Sequence, residues 1–142
     1  MTTVWTLAAL WFALAFFASL RGGVDRRIID ELADRLQSDL DVKIASPSHG
    51  NRQKIGLIQA FMHRPPLLIL DEPTQGLDPI VQQTFHELVL EARGAGQTVF
   101  LSSHVLPEVE RVCDRVGIIR EGRLIAVEDV GELKTHAVRE VE

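Results

Sequence analysis

This 142-residue chain has a single cysteine, Cys113, and only three lysines, Lys43, Lys54 and Lys134. One cysteine excludes an internal disulfide and fits a reducing compartment, where a thiol among apolar residues reads as structural. No lysine follows a glycine anywhere in the chain. That excludes the loop GxxxxGK followed by Ser or Thr, whose backbone amides and lysine cradle a nucleotide's phosphates. The pair Gly22-Gly23 is no substitute, because Val24 and Asp25 follow it. A net charge of −5, with arginines scattered among acids, argues against an electrostatic grip on nucleic acid, so no nucleic-acid partner is expected. Repeats and low-complexity linkers are also lacking. At 46% apolar, the chain can bury one modest core.

Charge is missing altogether from residues 4–20, where Trp5, Trp11, Phe12, Phe16 and Phe17 stand among alanines and leucines. Two readings fit. As a membrane-spanning helix the stretch has about the minimum length, and Arg21, Arg26 and Arg27 after it would keep the remainder on the cytoplasmic side. As a buried or interface helix it needs no such length, and that reading is preferred. A secretory signal is disfavoured, since no basic residue precedes the apolar run.

What is present is concentrated in LLILDEPTQGLDP, residues 67–79. Four aliphatic residues without polar alternation predict a short strand buried on both faces, as in a parallel α/β sheet. Such a strand brings Asp71 and Glu72 to the sheet's carboxyl edge, where open α/β sheets bind ligands. Asp71 as a turn cap and Glu72 as a solvated charge is the alternative. Asp78 before Pro79 reads as a helix start, a capping side chain followed by proline at the first helical position.

Upstream, Ser48-His49-Gly50-Asn51 is a cap-and-turn cluster opening a helix over about 51–63, which stops at Arg64-Pro65-Pro66. Downstream, a helix over 80–93 and the loop 94–96 lead to a second strand over 98–101, then Ser102-Ser103-His104. Strand, helix and strand in this order predict a right-handed unit of parallel strands, so Glu72 and His104 end on the same edge. An amphipathic helix is expected over 24–40. A short helix is expected over 106–113, then a strand, tight turn and strand over 116–127, with Asp129 capping a last helix.

Taken together, LLILDEP and GLDP resemble the Walker B and D-loop of the ATP-binding cassette (ABC) ATPases, and His104 resembles their H-loop histidine. Ser48 and Gly50 resemble part of the ABC signature, usually Leu-Ser-Gly-Gly-Gln; Pro47, His49 and Asn51 depart from it in the manner of drug and antibiotic exporters. The resemblance covers residues 21 onward, without Walker A or Q-loop, and so looks like a truncated nucleotide-binding domain.

It implies an α/β fold: a partial P-loop NTPase core with a parallel sheet, a helical signature subdomain and a C-terminal β-hairpin. The division it implies is an apolar helix over 1–20, the helical subdomain over 21–66 and the later ATPase core over 67–142. By resemblance Asp71 would hold Mg2+ through water and Glu72 would orient and deprotonate the attacking water. His104 would contact the γ-phosphate, Ser48 and Gly50 would contact ATP held by the opposite subunit, and Asp78 would lie at the dimer interface.

The cofactors implied are ATP and Mg2+. The partners implied are a membrane subunit and a second nucleotide-binding subunit, identical or not. The implied location is peripheral, on the cytoplasmic face of the membrane, with anchoring by the N-terminal helix as the alternative. The chain alone is expected to lack ATPase activity. A non-catalytic module that completes or inhibits a full-length partner's ATP site is the alternative function.

Overall fold

The computed structural model describes residues 9–20, 22–40 and 49–131. They form two compact units, one ending at Ser102 and the other beginning at Ser103. This boundary follows packing, whereas the three-part division expected above follows motifs.

In the first unit, α1 (Ala9–Ser19) is eleven residues long and ends where Gly22 and Gly23 both take φ of 88°. Among the described residues no helix is long and apolar enough to cross a membrane. The second helix, α2 (Arg26–Arg35), starts on Asp25, whose side chain accepts from the Arg27 amide. It buries Ile29, Leu32 and Ala33. It is shorter than the expected 24–40, because Gln37 turns left-handed (φ 51°) and the Ser38 amide reaches back to the Ala33 carbonyl. That closure is a Schellman cap made without glycine.

Two further helices complete the core. In α3 (His49–Phe61), Leu57, Ile58 and Phe61 are buried. Arg64 at φ 45° and Pro65 end the segment, and β1 (Leu67–Asp71) follows. Next, α4 (Pro79–Gly94) buries Val81, Phe85, His86, Leu88, Val89 and Ala92. Phe85 has no exposed surface and meets the edge of the Phe61 ring, with centroids 6.4 Å apart. Burying an aromatic side chain of this size contributes ~1.5–3 kcal/mol. Arg35 joins α2 to α4 through a two-pronged ion pair with Glu91, at 2.8 and 2.7 Å.

The last element of this unit, β2 (Thr98–Ser102), pairs with β1 in parallel, Leu67 opposite Thr98 through Asp71 opposite Ser102. The expected parallel pairing is therefore observed. The expected burial of both faces is not: Leu68 and Leu70 face the core, while Leu67 and Ile69 are 50% and 71% exposed. A sheet of two strands, with helices packed on one side, leaves the other side open.

The second unit holds α5 (Leu106–Val112), β3 (Arg115–Arg120) and β4 (Arg123–Asp129). The strands are antiparallel and joined through Glu121 and Gly122 at φ 51° and 73°. Two consecutive positive φ values match the strand twist in a tight hairpin. Asp129 is the last residue of β4, and helix begins directly after it at Val130. Cys113 follows α5, half-buried, and burial raises its thiol pKa above the usual value, in keeping with an unreactive thiol.

Candidate functional site

The expected acidic pair lies at the carboxyl end of β1, and a hydroxyl from β2 holds it. Ser102, in register with Asp71, donates its Oγ proton to Asp71 Oδ1 at 2.5 Å and accepts from the Glu72 amide at 3.0 Å. One hydroxyl thus fixes the first carboxylate and the backbone of the second. Glu72 itself sits in the left-handed region at φ 42°, a conformation that a β-carbon disfavours. Strain of this kind persists only where surrounding contacts impose it.

Those contacts come from Ser102 and from α3. Gln53 Nε2 donates to the carbonyls of Glu72 at 3.2 Å and Pro73 at 3.0 Å, and Pro73 is fully buried. The chain then folds through Gln75 N to Glu72 O and Leu77 N to Thr74 O, both 3.1 Å, to reach Gly76 at φ 75°.

The start of α3 rests on this turn. A β-carbon on Gly76 would stand 2.8 Å from His49 Nδ1, and one on Gly50 would stand 3.2 Å from the Gly76 carbonyl oxygen. The contact between Gly50 and Gly76 therefore depends on the missing side chains at both.

Asp78 ends the turn as the cap of α4. Its Oδ1 accepts from the amides of Ile80 and Val81 at 3.1 Å each. The Val81 amide holds this carboxyl below the usual aspartate range, with Lys54 and the Ile80 amide adding to the effect. Lys54 of α3 reaches it with Nζ 3.8 Å from Oδ2 and also donates to the Gln37 carbonyl at 3.1 Å. A cleft lined by Asp39, Gly50, Asn51, Lys54, Gly76 and Asp78 opens at this junction.

The structure thus brings together four predicted positions, Asp71, Glu72, Gly50 and Asp78. Ser48 lies outside the described residues. His104 is exposed; it belongs to the second unit, two residues beyond Ser102 in the chain. Sequence reasoning passed over Ser102, Gln53 and Lys54 as site residues. The parallel register carried a signal for the first, since pairing Leu67 with Thr98 forces Asp71 opposite Ser102.

Asp71 is exposed. Its Oδ2 accepts no hydrogen bond among the described residues. It fits a magnesium ion, which keeps several waters and takes one or two carboxylates alongside a substrate phosphate. No three His, Cys, Asp or Glu side chains gather to enclose a metal among the described residues. For the nucleotide the fit is incomplete: the chain has no glycine-lysine phosphate loop.

An acidic pair at the carboxyl end of a parallel strand stands at the edge where open α/β sheets bind ligands. Comparison with known proteins makes this specific. A family model described as ABC transporter matches residues 21–75. An uncharacterized ABC transporter ATP-binding protein of Bacillus subtilis is 42% identical over 119 residues, covering 82% of this chain and 39% of the relative. The bacitracin transport ATP-binding protein of Enterococcus faecalis is 37% identical over 123 residues, 84% of this chain and 40% of its own length.

A solved ATP-binding subunit of an ABC transporter superposes with a TM-score of 0.77 at 29% identity, over 97% of this chain and 58% of that one. In sequence and fold the chain is similar to part of the ABC transporter ATP-binding proteins. It spans about two fifths of the length of the curated relatives it matches.

Proposed function

We propose that this chain is the signature, Walker B and D-loop portion of an ATP-binding subunit that powers export of a small molecule or drug. The observation that carries this reading is the Ser102 clamp on Asp71 and Glu72, with the start of α3 held against the turn that follows. Asp71 would hold Mg2+ through water, and Glu72 would aim and deprotonate the water that attacks the γ-phosphate. His104 would contact the same phosphate from beyond β2. Ser48 and Gly50 would contact ATP bound by a second nucleotide-binding subunit, and Asp78 would lie where the two subunits meet. The bound ion would supply charge neutralisation at the phosphates.

The site would work at the cytoplasmic face of the membrane, peripheral to a membrane subunit. The bacitracin transport relative supports an export substrate of antibiotic type. With no phosphate loop, the 142 residues alone should neither bind MgATP tightly nor turn it over. Titration calorimetry of the purified chain with MgATP is expected to give no heat of saturable binding. Micromolar affinity would defeat this reading.

A further inference from the structure

Glu108 is a buried acid to which the reaction described above gives no part. It is 6% exposed and lies in the first turn of α5. Burying a carboxylate is costly unless it is hydrogen-bonded, and Ser103 supplies a bond: its Oγ donates to Glu108 Oε2 at 2.7 Å. The same oxygen accepts from the Val105 amide at 3.1 Å. His104 is the residue between, so the bonds from Ser103 to Val105 close around its backbone. A hydroxyl that takes an amide two residues on makes a compact turn, and Glu108 fixes which way this hydroxyl points. All of these residues lie in the second unit.

A plain helix cap needs no such arrangement. Val105 stands at the N-cap of α5 without a side-chain hydrogen bond, where Ser, Thr, Asp or Asn would cap directly. In a capping box the acid at the third helical position reaches back to the N-cap amide. Glu108 holds that third position, but its hold on the Val105 amide passes through a serine displaced two residues upstream. The displacement puts His104 inside the box. His104 is exposed, so backbone geometry rather than close packing sets where it stands. The Val105 carbonyl accepts from the Glu108 and Val109 amides at 3.0 and 3.3 Å, so α5 begins directly beyond the turn and carries Glu108 behind it.

We propose that Glu108, acting through Ser103, is a positioning residue that fixes the backbone at His104. What His104 is placed for, contact with a γ-phosphate, rests on the function proposed above; the bonds that place it do not.

The test uses the full 142-residue chain, labelled with 15N and 13C, and reads two quantities by nuclear magnetic resonance: exchange of the Val105 amide and the ring resonances of His104. Glu108→Ala and Ser103→Ala should each speed the exchange at least about tenfold, since a hydrogen bond anchored on a charged group is lost. Both should move the His104 ring signals. Glu108→Gln keeps an acceptor and Ser103→Thr keeps a hydroxyl, so each should restore both readouts. The double alanine variant should exchange no faster than either single one, because each breaks the same chain of bonds. Glu110→Ala, which removes another acid of α5, should change neither readout. Circular dichroism confirms that each variant is folded.

An unmoved His104 ring in both alanine variants overturns the proposal, even where α5 loses stability, because Glu108 would then serve the helix alone. So does failure of Glu108→Gln and Ser103→Thr to restore the readouts, or a double variant in which the two effects add. The MgATP titration tests the proposed function separately. Micromolar affinity there would sink that function and leave the link from Glu108 to His104 standing. A flat titration with an unmoved His104 ring would do the reverse.

Discussion

Replacing Glu72 with glycine and, separately, with alanine isolates the backbone cost of placing a carboxylate where this turn needs it. Both variants lose the side chain beyond Cβ, so they differ in one methyl group and in chain entropy. At most positions glycine is the worse residue, by ~0.5–1 kcal/mol, because it loses more freedom on folding. At φ 42° the balance reverses, since a β-carbon in the left-handed region costs ~1–2 kcal/mol. The difference leaves Glu72→Gly more stable than Glu72→Ala by about 0.5–1 kcal/mol. The hydrogen bonds that hold the turn use the Glu72 amide and carbonyl, and both variants keep them. Urea denaturation monitored by circular dichroism, with equal m-values as the control for a shared unfolded state, reads the difference directly. If alanine is as stable as glycine, the strain is not there and the inference that contacts impose Glu72's conformation fails.

Two further perturbations bear on the scaffold around the site. Gly76→Ala should destabilise by about 1–3 kcal/mol, from φ 75° and a β-carbon 2.8 Å from His49; adding His49→Ala should recover part of the loss in the same urea assay. The Arg35–Glu91 pair has two short contacts, but the Glu91 side chain is 59% exposed, so a double-mutant cycle to alanine should give only about 0.5 kcal/mol at neutral pH. The hydrogen bond from Arg35 holds the Glu91 carboxyl below its usual pKa, so the coupling is fully present above the ordinary glutamate range. It should fade as pH falls through the lower folded value, and a coupling that grows on acidification would contradict this assignment.

The elements were legible where local chemistry decides them. Asp78-Pro79 gave the start of α4, and Glu121-Gly122 gave the hairpin turn, because each signal acts within a few residues. Ends were misplaced where a residue other than glycine took the left-handed conformation: Gln37 stops α2 well before Leu40, and nothing in the composition of that stretch announces it. Of the site, the motif residues were legible and the residues that hold them were not, since Gln53 and Lys54 act through contacts with a turn about twenty residues away.

The reading of β1 failed for a more instructive reason. Four aliphatic residues in a row encode a strand meant to be covered on both faces, yet only Leu68 and Leu70 are covered here. A hydrophobic pattern records the environment in which a segment is stable, and that environment can include atoms from outside the chain. The exposed Leu67, Ile69 and Phe100 are thus a discrepancy between pattern and packing, and it lies on the one open face of the sheet that carries Asp71.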